Sequence, residues 1–212
     1  MVMASNEYTG VVRTYYDPEE GNHQLKEEWF QVRGSREGPY THYYKNGNPY
    51  RRVNYIKNSI MGIALEYYET GCLRYKTQCE WGIIHGRRLA YYKNGRVHSS
   101  SLYVRGLLHG QHMEFFDTGE LAIVCNYKDN LLHGENLQYN KRGVLLVHSY
   151  YKDKLRDGPY REYYDNGSLM CTWTYKKDRI EGNAYYYNED GSFRYKQNYK
   201  NGLYAKNWYS WH

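Results

Sequence analysis

The sequence predicts an all-β protein, an elongated single sheet of tandem antiparallel β-hairpins with a 24-residue period. Three observations carry this. Glycine recurs every 24 residues at Gly38, Gly62, Gly86, Gly110, Gly134, Gly158 and Gly182. A second glycine follows each by nine residues, from Gly47 to Gly191. Between them runs an aromatic column, Tyr43, Tyr67, Tyr91, Phe115, Tyr139, Tyr163 and Tyr187. A unit this short cannot bury a core alone, so stacked neighbours must cover one another. The chain of 212 residues therefore reads as one repeat domain. Residues 8–37 form an irregular N-terminal repeat or cap, 38–205 seven regular repeats, and 206–212 a truncated C-terminal strand or cap.

The first unit departs from the period. Tyr15-Tyr16 precedes Tyr43-Tyr44 by 28 residues, and Trp29 takes the column place of Tyr55. Extra residues fall in the turn Asp17-Pro18-Glu19-Glu20-Gly21 and between Trp29 and Gly38. A charged, atypical first repeat suits an end cap.

The stretch Gly86 to His109 shows a regular unit. Arg87 to Tyr92 reads as a strand. Lys93-Asn94-Gly95 reads as a turn, since Asn-Gly tolerates the positive φ of a tight hairpin. Val97 to Tyr103 is the return strand, with one parity holding Leu73, Val97, Leu121, Leu145, Leu169 and Phe193 across the repeats. The opposite parity, Arg74, Lys76 and Gln78 in one repeat, faces water, less so at Val124, Leu146 and Met170. In the first strand Leu65, Leu89, Met113 and Leu137 share a face with the aromatic column, and one aromatic-aliphatic face is expected to line a groove. A connecting turn carries Ile60, Ile84, Leu108, Leu132 and Ile180, and the glycine after it serves close backbone approach or an unusual φ. No segment sustains a helical period.

Composition fits half-buried strands: tyrosine is abundant, at 29 residues, and aliphatics are sparse. Residues 1–70 carry eight Lys/Arg and nine Asp/Glu, net −1, and residues 71–212 carry 21 and 14, net +7, so the formal charge of +6 is unevenly spread. Cys72, Cys79, Cys125 and Cys171 occupy four different repeat positions with no metal spacing, and reduced thiols are expected. No apolar leader opens the chain and no run of 18 apolar residues occurs, so a soluble, intracellular protein is expected, cytoplasmic or, if viral, in the host cytoplasm or virion.

Laid out as Tyr-x-x-Gly-x-x-His-Gly followed by Tyr-Tyr-x-x-Gly, the unit resembles the MORN repeat. The clearest copies are Tyr103 to Gly110, Tyr127 to Gly134 and, with Cys79 replacing tyrosine, Cys79 to Gly86. The Tyr-Tyr-x-x-Gly form resembles the variant found in bacterial antitoxin-like and large DNA virus proteins. The likeness spans about residues 8–205, with Asn130 and Lys154 at the Gly106 position and Met61, Asp157 and Glu181 at the histidine position. It implies an elongated, often dimeric scaffold used in protein assembly, with phospholipid binding also proposed for the family and no catalysis in the repeats themselves.

Conspicuous side chains read mostly as architecture. His85, His109 and His133 should lie about 10 Å apart on successive hairpins, too far to share a zinc ion whose ligand nitrogens lie about 2.0–2.1 Å from the metal. Glu66, Glu114 and Glu162 repeat every 48 residues and read as solvated charge, and no metal, cofactor or catalytic residue is expected. The candidate interaction surface is the outer aromatic stripe Tyr44, Tyr68, Tyr92, Phe116 and Tyr164. Trp208, Tyr209 and Trp211 could cap the array or join two copies as a homodimer. Arg87, Arg88, Lys93, Arg96 and Arg105 could meet an anionic surface, lipid or nucleic acid. The function expected is a non-enzymatic scaffold that binds protein, with self-association at its C-terminal end; the alternative is a peripheral binder of anionic lipid or nucleic acid.

Overall fold

The computed structural model describes residues 8–17 and 23–204. Every element among them is a β-strand, and every strand pairing is antiparallel. The chain divides into two compact units, residues 1–107 and 108–212.

The first unit holds β1 (Gly10–Tyr15), β2 (Leu25–Val32), β3 (Ser35–Tyr43), β4 (Pro49–Ile56), β5 (Ser59–Ile60), β6 (Gly62–Tyr67), β7 (Leu73–Glu80), β8 (Ile83–Tyr91) and β9 (Val97–Val104). The second holds β10 (Leu107–Phe115), β11 (Leu121–Lys128), β12 (Leu131–Tyr139), β13 (Leu145–Lys152), β14 (Leu155–Arg156), β15 (Gly158–Tyr163), β16 (Leu169–Lys176), β17 (Arg179–Tyr187), β18 (Phe193–Lys200) and β19 (Leu203–Tyr204). Within each unit the strands pair with their neighbours in sequence, as the period predicts. The C-terminal residues Trp208, Tyr209 and Trp211 lie outside the described residues, as does most of the first turn.

Two kinds of turn alternate. In the first, the Tyr44 N–H donates to Asn48 O at 2.8 Å and the Gly47 N–H donates to Tyr44 O at 3.0 Å. Gly47 alone takes the left-handed conformation, at φ +85°, closing a three-residue loop. Here the structure corrects the expectation for Asn-Gly, because Asn46 is not left-handed. Its side chain acts instead: Oδ1 accepts the Asn48 N–H at 2.9 Å, and Nδ2 donates to Glu69 O of the next repeat at 2.9 Å. The second turn has two residues, both with positive φ, as at Lys57 (48°) and Asn58 (63°). That is the mirror-image turn whose twist matches a hairpin.

Opposite this second turn the strands fall out of step. Cys125 faces Asn136 and Tyr127 faces Leu132, so Asn126 alone stands against residues 133–135. The glycine of the repeat absorbs the bulge: Gly134 has φ +91°.

Cross-strand pairs assign the two faces. Ala64 stands opposite Thr77, and Glu66 opposite Tyr75, on the same face as Cys79. Leu65 stands opposite Lys76, and Lys76 opposite Leu89, on the other face. In the second unit Leu137 likewise lies between Val124 and His148. The first-strand leucines thus sit on the wetter face, and the apolar residues do not all line one groove. Tyr40, Val53, Ala64 and Cys79 are the buried core of the first unit, with Trp29, Tyr55, Ile60 and Ile84 packed against them. Ile60 and Ile84 belong to the connecting-turn column and reach this core from opposite Tyr55 and Cys79.

Candidate functional site

Each turn ladder binds one repeat to the next. On the three-residue loop edge, the Tyr44 hydroxyl donates to Tyr67 O at 2.8 Å, Tyr68 to Tyr91 O at 2.9 Å and Tyr164 to Tyr187 O at 3.0 Å. The irregular first repeat repeats the bond, Tyr16 to Tyr43 O at 2.6 Å. In these four pairs the second tyrosine therefore staples its repeat to the main chain of the following one. These rings are half-buried, as are Tyr92 and Phe116. The Tyr92 ring lies 4.6 Å from His98, and the Lys141 ammonium stands 5.6 Å over Phe116.

On the two-residue turn edge, the residue before the repeat glycine supplies an acceptor to the turn of the next unit. Glu37 Oε1 accepts the Lys57 N–H at 3.0 Å, Met61 Sδ the Trp81 N–H at 3.0 Å and His85 Nδ1 the Arg105 N–H at 3.4 Å. Asp157 and Glu181 do the same for Lys177 and Asn201, at 3.3 and 2.9 Å. His109 and His133 instead meet the side chains of Asp129 and Asp153, at 3.1 and 3.2 Å. Glutamate, methionine and aspartate can share this place with His85 because each accepts a turn N–H. The second turn residue adds a main-chain bond to the preceding repeat, as from Asn130 N–H to Leu108 O at 2.9 Å.

The face of Cys79 and Cys125 carries a row of small side chains. In the second unit Cys125, Asn136 and Ser149 are 3%, 6% and 2% exposed, deeper than the larger residues beside them. Ile123, Gln138 and Val147 flank this floor on one side, with Tyr127, Leu132 and Tyr151 on the other. At one end it meets a chain of rings. Tyr160 stacks on Trp173 at 4.6 Å, Trp173 reaches Tyr186 at 6.1 Å, and Tyr186 stacks on Tyr195 at 4.4 Å. Tyr175 packs edge-on against Tyr160, with the Arg156 guanidinium 4.2 Å over its ring. In the first unit Trp29, Tyr40 and Tyr55 make a shorter chain under the Arg36 guanidinium.

Sequence reasoning missed Trp173 and Tyr186. The signal was available: Trp29, Val53, Thr77, Ser101, Cys125, Ser149 and Trp173 form one 24-residue column, small in the middle and tryptophan at two places.

The carboxylates on this face are half-buried hydrogen-bond acceptors rather than freely solvated charge. Glu27 accepts from Tyr40 at 2.7 Å, Glu114 lies 3.0 Å from His112, and Glu162 accepts from Tyr160 at 3.1 Å. Burial pushes the thiols of Cys125 and Cys171 up to about 11 and about 12, with Glu162 adding to the shift at Cys171. All four cysteines are unpaired, and those two are held as thiols with little nucleophilic character. Among the described residues no group of three His, Cys, Asp or Glu could hold a metal ion.

The basic candidates do not converge. Arg87 pairs with Leu102 and Arg88 with Ser101, so the two arginines face opposite sides of the sheet. Arg88 lies 4.4 Å over Tyr75, and the Lys93 ammonium 5.9 Å from the ring of Tyr68. Lys93 lies in a three-residue loop that Arg96 closes, whereas Arg105 occupies a two-residue turn at the other end of the strands.

An all-β set of stapled hairpins, with no metal-holding cluster among the described residues, defines a tandem-repeat protein. The family described as MORN repeat variant matches residues 36–57, 108–129 and 156–177, so the chain carries MORN repeats at these three places. Among curated proteins no match was found. No helix among the described residues is long and apolar enough to cross a membrane.

Proposed function

We propose that the chain is a non-enzymatic scaffold that binds a protein segment along the floored face of its second unit. The carrying observation is the floor of Cys125, Asn136 and Ser149 leading into stacked rings whose last member, Tyr195, is 43% exposed. Aromatic rings at the end of a groove supply rigid contact area with a polar handle, the kind of anchor that dominates protein interfaces. The two ladders support the reading by holding successive units in register without any ligand. The buried thiols of Cys125 and Cys171 support the non-enzymatic reading, since neither is poised as a nucleophile. Self-association through Trp208, Tyr209 and Trp211 belongs to the same proposal, and mass measurement in solution tests it.

The site is tested by placing a photo-crosslinking residue at Gln138 or Tyr195 on the floored face, and at Gln111 or Lys196 on the other. In extract of the source cell the first pair should trap one defined protein that the second pair does not. Equal adducts from both faces, or none from Gln138 and Tyr195, would refute the proposal.

A further inference from the structure

A second surface lies on the opposite face, at the two-residue turns of the second unit. The last residue before each turn is Lys128, Lys152, Lys176 or Lys200, and all four are exposed. Each pairs across the turn with the first residue after it, Leu131, Leu155, Arg179 or Leu203. The three leucines are 37%, 40% and 74% exposed. The first unit has Val32, Ile56, Glu80 and Val104 at the lysine position, so the basic row belongs to the second unit alone.

The acids near these turns are already committed. Asp129 and Asp153 meet His109 and His133, Asp178 holds Arg156 at 3.0 Å, and Asp157 and Glu181 accept turn N–H groups. None of the four lysines forms an ion pair with another described residue. The row thus presents ammonium groups and leucine side chains together, a pattern that recognises a partner both acidic and apolar.

Spacing selects the partner's form. Two strands about 4.8 Å apart set consecutive lysines about 9.6 Å from each other along the array. An α-helix rises about 1.5 Å per residue, so positions seven apart lie about 10.5 Å from each other. Over three intervals the mismatch accumulates to about 3 Å, within the reach of flexible lysine stems. We infer that the Lys128–Lys152–Lys176–Lys200 row, with its leucines, docks an acidic amphipathic helix whose carboxylates recur every seventh residue. A lipid headgroup layer carries no such register, which separates the two partners experimentally.

The probe is a fluorescein-labelled synthetic helix of 22 residues carrying glutamate at every seventh position and leucine beside it, read by anisotropy at low salt. A second peptide has the same composition with glutamate at every fifth position. The heptad peptide should bind at least tenfold more tightly. The variant Lys128→Gln/Lys152→Gln/Lys176→Gln/Lys200→Gln should lose about twofold per lysine, so about tenfold or more in all. Its circular dichroism and thermal midpoint should match the parent, because these side chains stand at solvated strand ends. Leu131→Ser/Leu155→Ser should weaken binding at unchanged salt dependence. Equal affinity for the two peptides, no binding of the heptad peptide, an undiminished lysine variant, or binding to phosphatidylserine vesicles that the heptad peptide does not displace would overturn the inference.

Discussion

Replacing Tyr68 by phenylalanine isolates one inter-repeat staple. The hydroxyl donates to the Tyr91 carbonyl at 2.9 Å, while the half-buried ring stays in place. Apolar burial is unchanged, so the loss is that of one neutral hydrogen bond, about 1 kcal/mol. Tyr44 and Tyr164 make the same bond to different carbonyls, at 2.8 and 3.0 Å. Their partners are separate, so the three losses should add to about 3 kcal/mol. At the equivalent place Phe116 has no hydroxyl, and Phe116→Tyr should gain up to about 1 kcal/mol by the same reasoning. Urea denaturation followed by circular dichroism measures all of these, and a chain of this size should shift its thermal midpoint by about 2–4 °C per kcal/mol. A triple variant within about 0.5 kcal/mol of the parent, with no gain from Phe116→Tyr, would show that the staples contribute little beyond what water supplies.

The turns and buried groups give further tests. A Cβ on Gly158, at φ +130°, would meet Tyr150 Cβ at 2.9 Å, whereas one on Gly38 would meet nothing within 4 Å. Gly158→Ala should therefore lower the thermal midpoint clearly more than Gly38→Ala, whose cost is that of its left-handed backbone, about 1 kcal/mol. Lys154 holds φ +66° without a glycine's freedom, and Lys154→Gly should raise stability by about 0.5–1 kcal/mol in the same assay. The Asp178 carboxyl is held below its ordinary range by the Arg156 backbone N–H, then by that residue's side-chain hydrogen bond. A lowered folded-state pKa gives stability that is present above the unfolded value, about 3.9, and is lost as pH falls through the folded one. The urea midpoints of the parent and Asp178→Asn should accordingly draw together on acidification below about pH 4. Cys72 is exposed and the other three cysteines buried, so a thiol-specific reagent should label Cys72 in the native protein and the rest only on unfolding.

The 24-residue glycines and the Asn-Gly turns made the hairpin array legible because both are local statements about backbone freedom. What Tyr44 and Asn46 do was not legible. Their partners, Tyr67 and Glu69, lie 23 residues away and come close only once two loops are stacked. The face of Leu65 was hidden for a related reason. Alternation tells which residues of one strand share a side, but only the pairing Leu65 to Lys76 tells which side that is in the neighbour. The candidate site was half visible: tyrosines stand out in the sequence, yet the floor of Cys125, Asn136 and Ser149 drew no notice because small side chains carry little pattern of their own. The lysine row was in plain register, at 128, 152, 176 and 200, but its exposure and its alignment with leucines needed the turn geometry.

The acceptors at Glu37, Met61, His85, Asp157 and Glu181 all reach forward to the succeeding turn. The tyrosine staples point the same way along the chain. Damage at one of these positions is consequently felt by the unit downstream of it, and the unit that carries the lesion keeps its own loops intact. Asn58, Asn130 and Asp178 reach the other way, accepting from the N–H groups of Arg36, Leu108 and Arg156 in the preceding repeat, so each of these junctions is tied from both sides.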